Sequence, residues 1–543
     1  MIRFVLLVFF SFVTIAVSAQ IDYSNAASQT ARLQAVVAKN TPFAKLASLG
    51  KTAGGKDIWM LTLGNGNTEA KPAIAIIGGV EGNHLLGTEL AIGFAENMVG
   101  SNNDSVKALL NNTTFYIFPN MSPDAMEQYF AKLKYERMGN ASATDDDRDG
   151  KTNEDGYDDL DGNGKITMMR VQSPVGMYRI NTEDSRSMVK ADLAKGETGG
   201  YLMLTEGLDN DKDGLFNEDG PGGVWFNKNF AFRHPSFTPG SGEFPVSEIE
   251  NRLLLDKLYQ LFNVYAVVSF SSANNLSTPF TFNAANTTPR VITGYLEEDA
   301  RINAMVSDLY IKTTSLKDAP KSAPAGGDLL SWGYYHYGRL SFSTPGWFLP
   351  KPKADTTKKE KSPLTPDSVA NYLRWAAAQN LPDQFTPWKK INHPSFPNQL
   401  VEVGGIDPFV LINPPFDMAA AITARHTAFI QKLAALQPRV AIENITTEKL
   451  GNNIFRITAT VMNTGALPSH TKIGERSYWV KKINVALSPA KNQVVISGKK
   501  LQLLNTLEGF GTKELTWLVK GSGTTVLEAG SPTTGTKRVE IKL

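Results

Sequence analysis

One segment decides the fold of this chain: residues 73–90, AIAIIGGVEGNHLLGTEL. Its first five residues are all apolar, which is typical of a strand covered on both faces. Apolar residues then recur at every fourth position, as on one face of a helix packed against that strand: Leu86, Leu90, Phe94 and Met98. The segment therefore predicts a strand, a glycine turn and a helix.

The flanking sequence repeats this alternation. Residues 26–39 have helical spacing, and GKTAGGKDIW, residues 50–59, reads as a turn leading into a strand. Further apolar runs at 114–118 and 264–270 predict buried strands. Strands that alternate with helices over several hundred residues predict an α/β domain, with a mixed sheet between helix layers.

The pattern changes near Pro438. Apolar residues then alternate with polar ones, as at Phe455, Ile457 and Ala459, and turn residues separate the segments. This period of two predicts an all-β sandwich of about a hundred residues. We therefore expect the α/β domain to cover 20–437 and the β-sandwich domain to cover 438–543.

The amino terminus predicts export. Arg3 precedes a short apolar run, and Val17-Ser18-Ala19 is a small-residue cleavage site, so residues 1–19 are expected to be a signal peptide. No other segment is apolar enough to cross a membrane. The mature chain should be periplasmic or extracellular, and it has no cysteine for disulfides. A net charge of +2 among 543 residues gives no general attraction to nucleic acid.

An acidic motif occurs twice, between about residues 140 and 220. Oxygen side chains at alternate positions, followed by a glycine, can wrap a calcium ion. The predicted calcium ligands are Asp145, Asp147, Asp149, Asn153 and Asp155 in the first copy, and Asp209, Asp211, Asp213, Asn217 and Asp219 in the second. We expect this calcium to be structural.

A third acidic run lies between the two copies. Asp159, Asp161 and Asn163 resemble the first half of an EF-hand loop, but Arg170 stands where the bidentate glutamate would lie. Full EF-hand coordination is therefore not expected. Calcium at this run stays an open alternative to a solvated acidic loop.

Several motifs together resemble the zinc carboxypeptidases of the carboxypeptidase A type. They are GGVEGNHLLG, FPNMSPDAMEQY at 118–129, GPGGVWFNKNF at 220–230, LLSWGYYHYGRLSFSTPGW at 329–347 and VEVGGIDPF at 401–409. The resemblance is stronger to large secreted bacterial members with calcium-loop insertions and a C-terminal β domain. It implies the α/β/α fold, a zinc cofactor and peptide substrates, while the active-site motifs are degenerate.

The family holds zinc with two histidines and a glutamate, and water takes the fourth position. Where the family has His-x-x-Glu, this chain reads Glu81-x-x-His84, so the two ligand types are exchanged. The exchange shifts each donor atom by about an ångström, against a tolerance of roughly 0.2 Å for a metal site. The third ligand position falls on Ser271, and neutral serine is a poor zinc ligand. Zinc is therefore expected to be absent or weakly bound.

The other catalytic positions are altered as well. The asparagine and arginine that grip a substrate carboxylate in the family are Asn227 and Lys228 here, and lysine lacks the planar two-bond fork. The general-base position falls on Pro345 or Gly346, neither of which can accept a proton. Glu402 is a conceivable substitute, but its segment matches a separate structural stretch of the family.

The sequence is compatible with three functions. The leading hypothesis is a catalytically inactive pseudo-peptidase, exported as a peptide-binding or scaffolding protein that engages peptides or the C-terminal segments of proteins. The second is an active zinc carboxypeptidase with a rearranged site around Glu81 and His84. The third is a calcium-dependent surface or glycan-binding protein that works through its loops and its β domain.

Overall fold

The computed structural model of the protein describes residues 22–145, 150–217, 220, 222–317, 319–320, 326–350, 367–382 and 384–543. The predicted signal peptide, residues 1–19, lies outside the described residues. So do three of the predicted calcium ligands, Asp147, Asp149 and Asp219.

The central element is a mixed sheet of six strands in the order β1-β2-β4-β3-β9-β10. β3, β4, β9 and β10 run parallel, whereas β1 and β2 pair antiparallel at one side. The strands are β1 Ala44–Lys51, β2 Asp57–Leu63, β3 Ala73–Ile77, β4 Thr114–Phe118, β9 Val264–Phe270 and β10 Leu340–Thr344. Every residue of β3, β4, β9 and β10 is buried, because helices cover both faces.

Helices form a layer on each face of this sheet. Alternate strand residues such as Ile74 and Ile76 pack with α1, α2, α3, α6 and α9, while Ala75 and Ile77 pack with α5 and α7. In the described part of the chain the helices are α1 Ala26–Lys39, α2 Leu85–Gly100, α3 Asp104–Asn112, α4 Pro123–Met126, α5 Ile249–Gln260, α6 Glu297–Thr314, α7 Leu329–Tyr335, α8 Ser368–Ala378 and α9 Ala419–Ala435.

A second six-stranded sheet, which the sequence did not predict, has the order β11-β12-β5-β8-β6-β7. Its strands are β5 Met168–Gln172, β6 Tyr178–Ile180, β7 Met188–Lys190, β8 Tyr201–Thr205, β11 Phe385–Ile391 and β12 Val401–Ile406. β5 and β8 lie between the two copies of the acidic motif and pair with each other. The acidic insertion is therefore anchored to a sheet.

The C-terminal region is all-β, as its alternating pattern predicts. One four-stranded sheet has the order β13-β14-β18-β16 and the other β17-β15-β19-β20, and residues of both enclose one apolar core around Trp517. The strands are β13 Val440–Gly451, β14 Ile454–Asn463, β15 Ile483–Ser488, β16 Val494–Ser497, β17 Leu501–Leu504, β18 Thr512–Lys520, β19 Thr524–Ser531 and β20 Gly535–Lys542.

The predicted fold class is confirmed: a mixed α/β domain is followed by all-β sheets. The apolar segments predicted as strands at 73–77, 114–118 and 264–270 have those bounds in the structure. A helix with the length and apolar character needed to traverse a bilayer is absent from the described residues.

Candidate functional site

A turn at the carboxyl end of β3 carries the Glu81–His84 pair. Gly79 begins this turn with a φ of +57°, and a Cβ built there would lie 2.3 Å from Asn120 Oδ1. Only glycine fits that position without displacing a neighbour. His84 follows as the N-cap residue of α2. The pair therefore lies at the carboxyl edge of the sheet, where α/β proteins commonly bind ligands.

Glu81 is buried and held through one of its two oxygens. Oε1 accepts hydrogen bonds from Asn227 Nδ2 at 2.8 Å, Ser272 Oγ at 2.8 Å and Ser272 N at 3.2 Å. Oε2 has no hydrogen-bond partner among the described residues. Burial raises the pKa of Glu81, and the hydrogen bonds from Ser272 and Asn227 oppose that rise.

His84 points its ring toward the end of β10. Its Nε2 lies 3.0 Å from the carbonyl oxygen of Pro345, and a carbonyl only accepts, so Nε2 carries the proton. Burial lowers the pKa of His84 to about 4, which keeps the imidazole neutral. The remaining lone pair is on Nδ1, and a Cβ at Gly87 would come within 3.0 Å of it. Helix α2 therefore closes that side of the ring.

The third position of the family pattern is part of a local turn. Ser271 is buried after β9; its N–H donates to the Thr344 carbonyl at 3.0 Å, and its Oγ accepts from Ala273 N at 3.1 Å. Ser271 thus contributes to the turn, and this position lacks the histidine that serves as the third zinc ligand in the family.

These residues do not fit a zinc ion. A protein zinc site needs at least three ligand atoms converging on one point. Among the described residues, convergent groups of three or more His, Asp and Glu side chains include neither Glu81 nor His84. The Nε2–H of His84 donates to Pro345, which leaves only Nδ1 as a ligand atom, and α2 covers that side of the ring at Gly87.

The two candidates for the general-base position are structural. Pro345 offers its carbonyl to His84. Gly346 has a φ of +72°, and a Cβ there would lie 2.4 Å from Leu90 Cδ1, so a side chain at this position would be strained and would displace Leu90. Glu402 lies on β12 and forms an ion pair with Arg170 at 2.8 Å. None of the three presents a proton acceptor beside Glu81 in this arrangement.

A cavity of about 410 Å³ lies next to Glu81. The indole of Trp225 forms part of its wall, and the Nζ of Lys228 lies 4.6 Å from that ring centroid and donates to the Pro239 carbonyl at 2.5 Å. Lys228 therefore lines the cavity with its ammonium group held against the wall. Asn227, which the sequence paired with Lys228, also lines the cavity and donates a hydrogen bond to Glu81.

At their matching described positions, the two copies of the acidic motif have similar glycine conformations and hydrogen bonds. Gly150 and Gly214 have φ angles of +96° and +95°, in the left-handed region that favours glycine. The Gly150 N–H donates to Asp145 Oδ2 at 3.0 Å, and the Gly214 N–H donates to Asp209 Oδ2 at 3.2 Å. The first aspartate and the glycine of each copy therefore have equivalent places in the structure.

The matching first aspartates each keep one oxygen unused. Asp145 Oδ1 and Asp209 Oδ1 are buried atoms without a hydrogen-bond partner among the described residues. In the second copy, ligand oxygens of Asp209, Asp211 and Asp213 lie within 4.8 Å of one another. Such oxygen groups suit a hard cation such as calcium.

Asp155 connects the two copies of the acidic motif. Asp155 is fully buried and accepts the Asn210 N–H at 3.0 Å and the Asn217 N–H at 2.6 Å, one on each oxygen. Asn153 and Asn217 share a φ of +59°. Asp155 thus joins the first copy to the backbone of the second.

The third acidic run recruits a residue that the sequence did not single out. Asp159 and Asp161 converge with Glu206, which is fully buried at the end of β8. Glu206 also accepts the N–H groups of Leu160 at 2.8 Å and Thr167 at 2.9 Å. No motif marks Glu206, so only its position as a carboxylate just before the second copy could have indicated it.

Asn163 has a local role in the third run. Its Oδ1 accepts the Lys165 N–H at 2.7 Å, which closes a turn within the run.

Comparison with known proteins identifies two regions. Residues 30–347 match the family model described as Zinc carboxypeptidase. Residues 439–542 match a domain of unknown function, DUF8731.

Three relatives illustrate the similarity. Carboxypeptidase E of Caenorhabditis elegans is 32% identical over 111 residues, covering 19% of this chain and 24% of that protein. Carboxypeptidase D of Anas platyrhynchos is 30% identical over 109 residues, covering 19% and 8%. A metallo-carboxypeptidase structure from Burkholderia cenocepacia has 12% identity and a TM-score of 0.33, covering 75% of this chain and 68% of that one. The matches therefore span a quarter or less of the curated relatives' length.

Proposed function

The chain belongs to the zinc carboxypeptidase family, and from this premise we propose that it is a non-catalytic member that binds peptides without cleaving them. Membership of a peptidase family supports peptides as its ligands. Family membership alone does not specify activity, because function depends on the residues of the site.

One observation carries the proposal: the hydrogen bond between His84 Nε2 and the Pro345 carbonyl, 3.0 Å long. It engages the only imidazole of the ligand motif, and its partner Pro345 is one of the two residues on which the family's general-base position falls. A zinc peptidase needs both a metal-bound water and a base to deprotonate it. The bond leaves His84 only Nδ1, which α2 covers at Gly87, and Pro345 has no side chain that can accept a proton, so the pair supports the absence of both.

Calcium is proposed as the structural ion of the acidic insertion. The unused oxygens Asp145 Oδ1 and Asp209 Oδ1 occupy equivalent positions in the two copies and support one ion site in each. A buried carboxylate oxygen without a partner is costly unless a cation or a proton satisfies it. Glu206 is proposed as a ligand at the third run, beside Asp159 and Asp161.

Export is a further part of the proposal, and it rests on the sequence of residues 1–19. Calcium is plentiful outside the cytoplasm, so weak sites of this kind can fill after export. We propose that the mature protein is a periplasmic or extracellular peptide-binding protein ordered by calcium. Its boundaries are proposed as 20–437 for the carboxypeptidase-like domain and 438–543 for the β-sandwich.

The test combines metal analysis with a peptidase assay on the full mature chain. Elemental analysis should find calcium and no stoichiometric zinc, and no residue should be released from the carboxyl end of a mixed peptide library. The His84→Ala variant should give the same two results. One zinc per chain, lost in His84→Ala together with release of C-terminal residues, would establish an active enzyme with a rearranged site instead.

A further inference from the structure

Two buried acidic side chains line the 410 Å³ cavity, and each has one oxygen without a partner. They are Glu81, which is 6% exposed, and Asp328, which is 3% exposed. Glu81 Oε2 and Asp328 Oδ2 have no hydrogen-bond partner among the described residues. Their other oxygens are engaged, since Asp328 Oδ1 accepts the Ser331 N–H at 2.8 Å and Glu81 Oε1 accepts three hydrogen bonds.

Asn227 holds the two acidic residues on either side of one amide group. Its Nδ2 donates to Glu81 Oε1 at 2.8 Å, and its Oδ1 accepts the N–H of Leu329, the neighbour of Asp328, at 2.9 Å. The Gly327 carbonyl accepts the Phe230 N–H at 2.8 Å, which holds the 326–329 segment against the turn that carries Asn227. The two carboxyl groups therefore belong to one built site.

No described lysine, arginine or histidine forms an ion pair with either acidic group. Lys228, the lysine that lines this cavity, contacts the Pro239 carbonyl and the Trp225 ring. Val80 and Met138 add apolar surface to the same cavity. A low-dielectric pocket with uncompensated acceptors favours a ligand that brings positive charge.

We propose that this cavity binds a primary ammonium group of a peptide, with Glu81 and Asp328 as its acceptors. The inference rests on the peptide-binding function proposed above and specifies the ligand chemistry. The family grips a substrate carboxylate with an arginine, whereas this cleft presents acceptors, so a C-terminal carboxylate is disfavoured here.

The oxygens also discriminate between kinds of cation. A guanidinium group binds best through two parallel hydrogen bonds to both oxygens of one carboxylate. Each carboxyl group in this cavity has only one unpartnered oxygen, so the two-bond fork is not available. A compact ammonium group, with three separately directed donors, can bond to a single carboxylate oxygen and therefore suits these carboxyl groups better.

The ammonium group can belong to a lysine side chain or to a free amino terminus. Both unpartnered oxygens are covered in the present arrangement, so contact with a ligand requires a shift of the surrounding side chains. The cavity volume lies at the lower end of the range for small-ligand pockets. It therefore suits one terminal residue or one side chain rather than a long segment.

Calorimetric titration with five short peptides tests the proposal on the mature, calcium-loaded chain. One peptide carries a free amino terminus and an amidated end without lysine. A second is capped at both ends and has a central lysine, and a third has arginine in its place. A fourth is capped at its amino terminus with a free carboxylate, and a fifth is uncharged. Binding of either ammonium peptide supports the proposal and identifies the source of the ammonium group.

Asp328→Asn and Glu81→Gln are the test variants, and Glu243→Gln at an exposed position is the matched control. Asparagine at 328 can still cap α7 through its side-chain oxygen, so the fold should be kept. Each test variant should weaken ammonium binding by roughly tenfold or more, and Glu243→Gln should not change it. Thermal melts show whether Asp328→Asn and Glu81→Gln fold. If one of them does not fold, the binding measured with the other tests the proposal.

Four outcomes would overturn the inference. One is equal binding of the uncharged peptide, and another is preferential binding of the arginine peptide. A third is binding unchanged in both variants. The fourth is preferential binding of the free-carboxylate peptide, which would leave the proposed peptide-binding function standing. If no peptide binds at all, that function fails together with the inference.

Discussion

His84 Nε2 and the carbonyl oxygen of Pro345 are 3.0 Å apart, although the family pattern separates the ligand position of His84 from the general-base position, which falls on Pro345 or Gly346. One position would hold the metal and the other would take a proton from its water. Here one hydrogen bond joins the two residues, and it links the N-cap of α2 to the residue that follows β10. The bond therefore gives the pair a structural role, which can be measured separately from activity.

His84→Ala should lower the free energy of unfolding by about 2–4 kcal/mol, because it leaves a cavity and an unpaired Pro345 carbonyl. Urea unfolding of the variant and the wild type measures this change. His336→Ala, at an exposed position, should change the same quantity by less than about 0.5 kcal/mol. Equal stability of His84→Ala and the wild type would contradict a structural role for the imidazole.

Calcium removal should lower the melting temperature of the protein, because an ion that binds only the folded state stabilises it by about 2.7 kcal/mol at a hundredfold excess over Kd. Differential scanning calorimetry with and without EDTA measures the shift. Asp145→Asn and Asp209→Asn should each reduce it, since both replace an equivalent first aspartate. Asp104→Asn, at an exposed side chain, is the control. A melting temperature indifferent to EDTA would remove the case for structural calcium.

Glu250 should make stability fall as the pH rises through neutrality. Burial raises the pKa of this carboxyl from 4.5 to about 7, and the nearby Asp124 and Glu248 charges add to that rise. Between those two values the folded protein keeps a proton that the unfolded chain releases. The stabilising contribution is therefore complete below pH 4.5 and is lost as the pH passes about 7.

Glu250→Gln removes this titration. Relative to the wild type, the variant should gain on the order of 2–3 kcal/mol between pH 5 and pH 8, because a buried charge is no longer formed. Urea unfolding at both pH values gives the difference. Glu243→Gln should follow the wild type at each pH, since this position is exposed. If the difference in stability between Glu250→Gln and the wild type stayed constant with pH, the raised pKa of Glu250 would be refuted.

Two glycines of α2 should respond oppositely to alanine. A Cβ at Gly93 would lie 2.5 Å from Thr423 Cγ2 on α9, whereas a Cβ at Gly100 would meet no atom within 4 Å. Gly93→Ala should cost about 1–2 kcal/mol, since overpacking exceeds the gain in helix propensity. Gly100→Ala should be neutral or stabilise by a few tenths of a kcal/mol. Thermal melts of both variants measure the contrast, and a stabilised Gly93→Ala would show that α2 and α9 can separate freely.

The sequence predicted the elements that periodicity marks strongly. The apolar run of β3 and the four-residue spacing after Leu85 left little choice, because both faces of that strand had to be covered. The second sheet was not predicted. Its strand β8 is half-buried at every position, so neither alternation nor a continuous apolar run marks it.

Some of the site residues could likewise be found from the sequence, and others only from the structure. Glu81 and His84 could be found because they interrupt a strand-turn-helix motif. Asp328 and Glu206 could not, because each is a single carboxylate without a repeat around it. Their importance comes from burial and from unpartnered or convergent oxygens, which depend on the tertiary fold. The exchange of ligand types was readable in the sequence, whereas the attachment of His84 to Pro345 was not.

Asp155 has a consequence for how the acidic insertion becomes ordered. Its carboxyl group accepts N–H groups from Asn210 and Asn217, so the first loop fixes the path of the second. Neither loop can reach its final shape in isolation, and the pair should assemble in one cooperative step. A single protease cut in either loop would therefore be expected to loosen both loops. The central six-stranded sheet should stay intact.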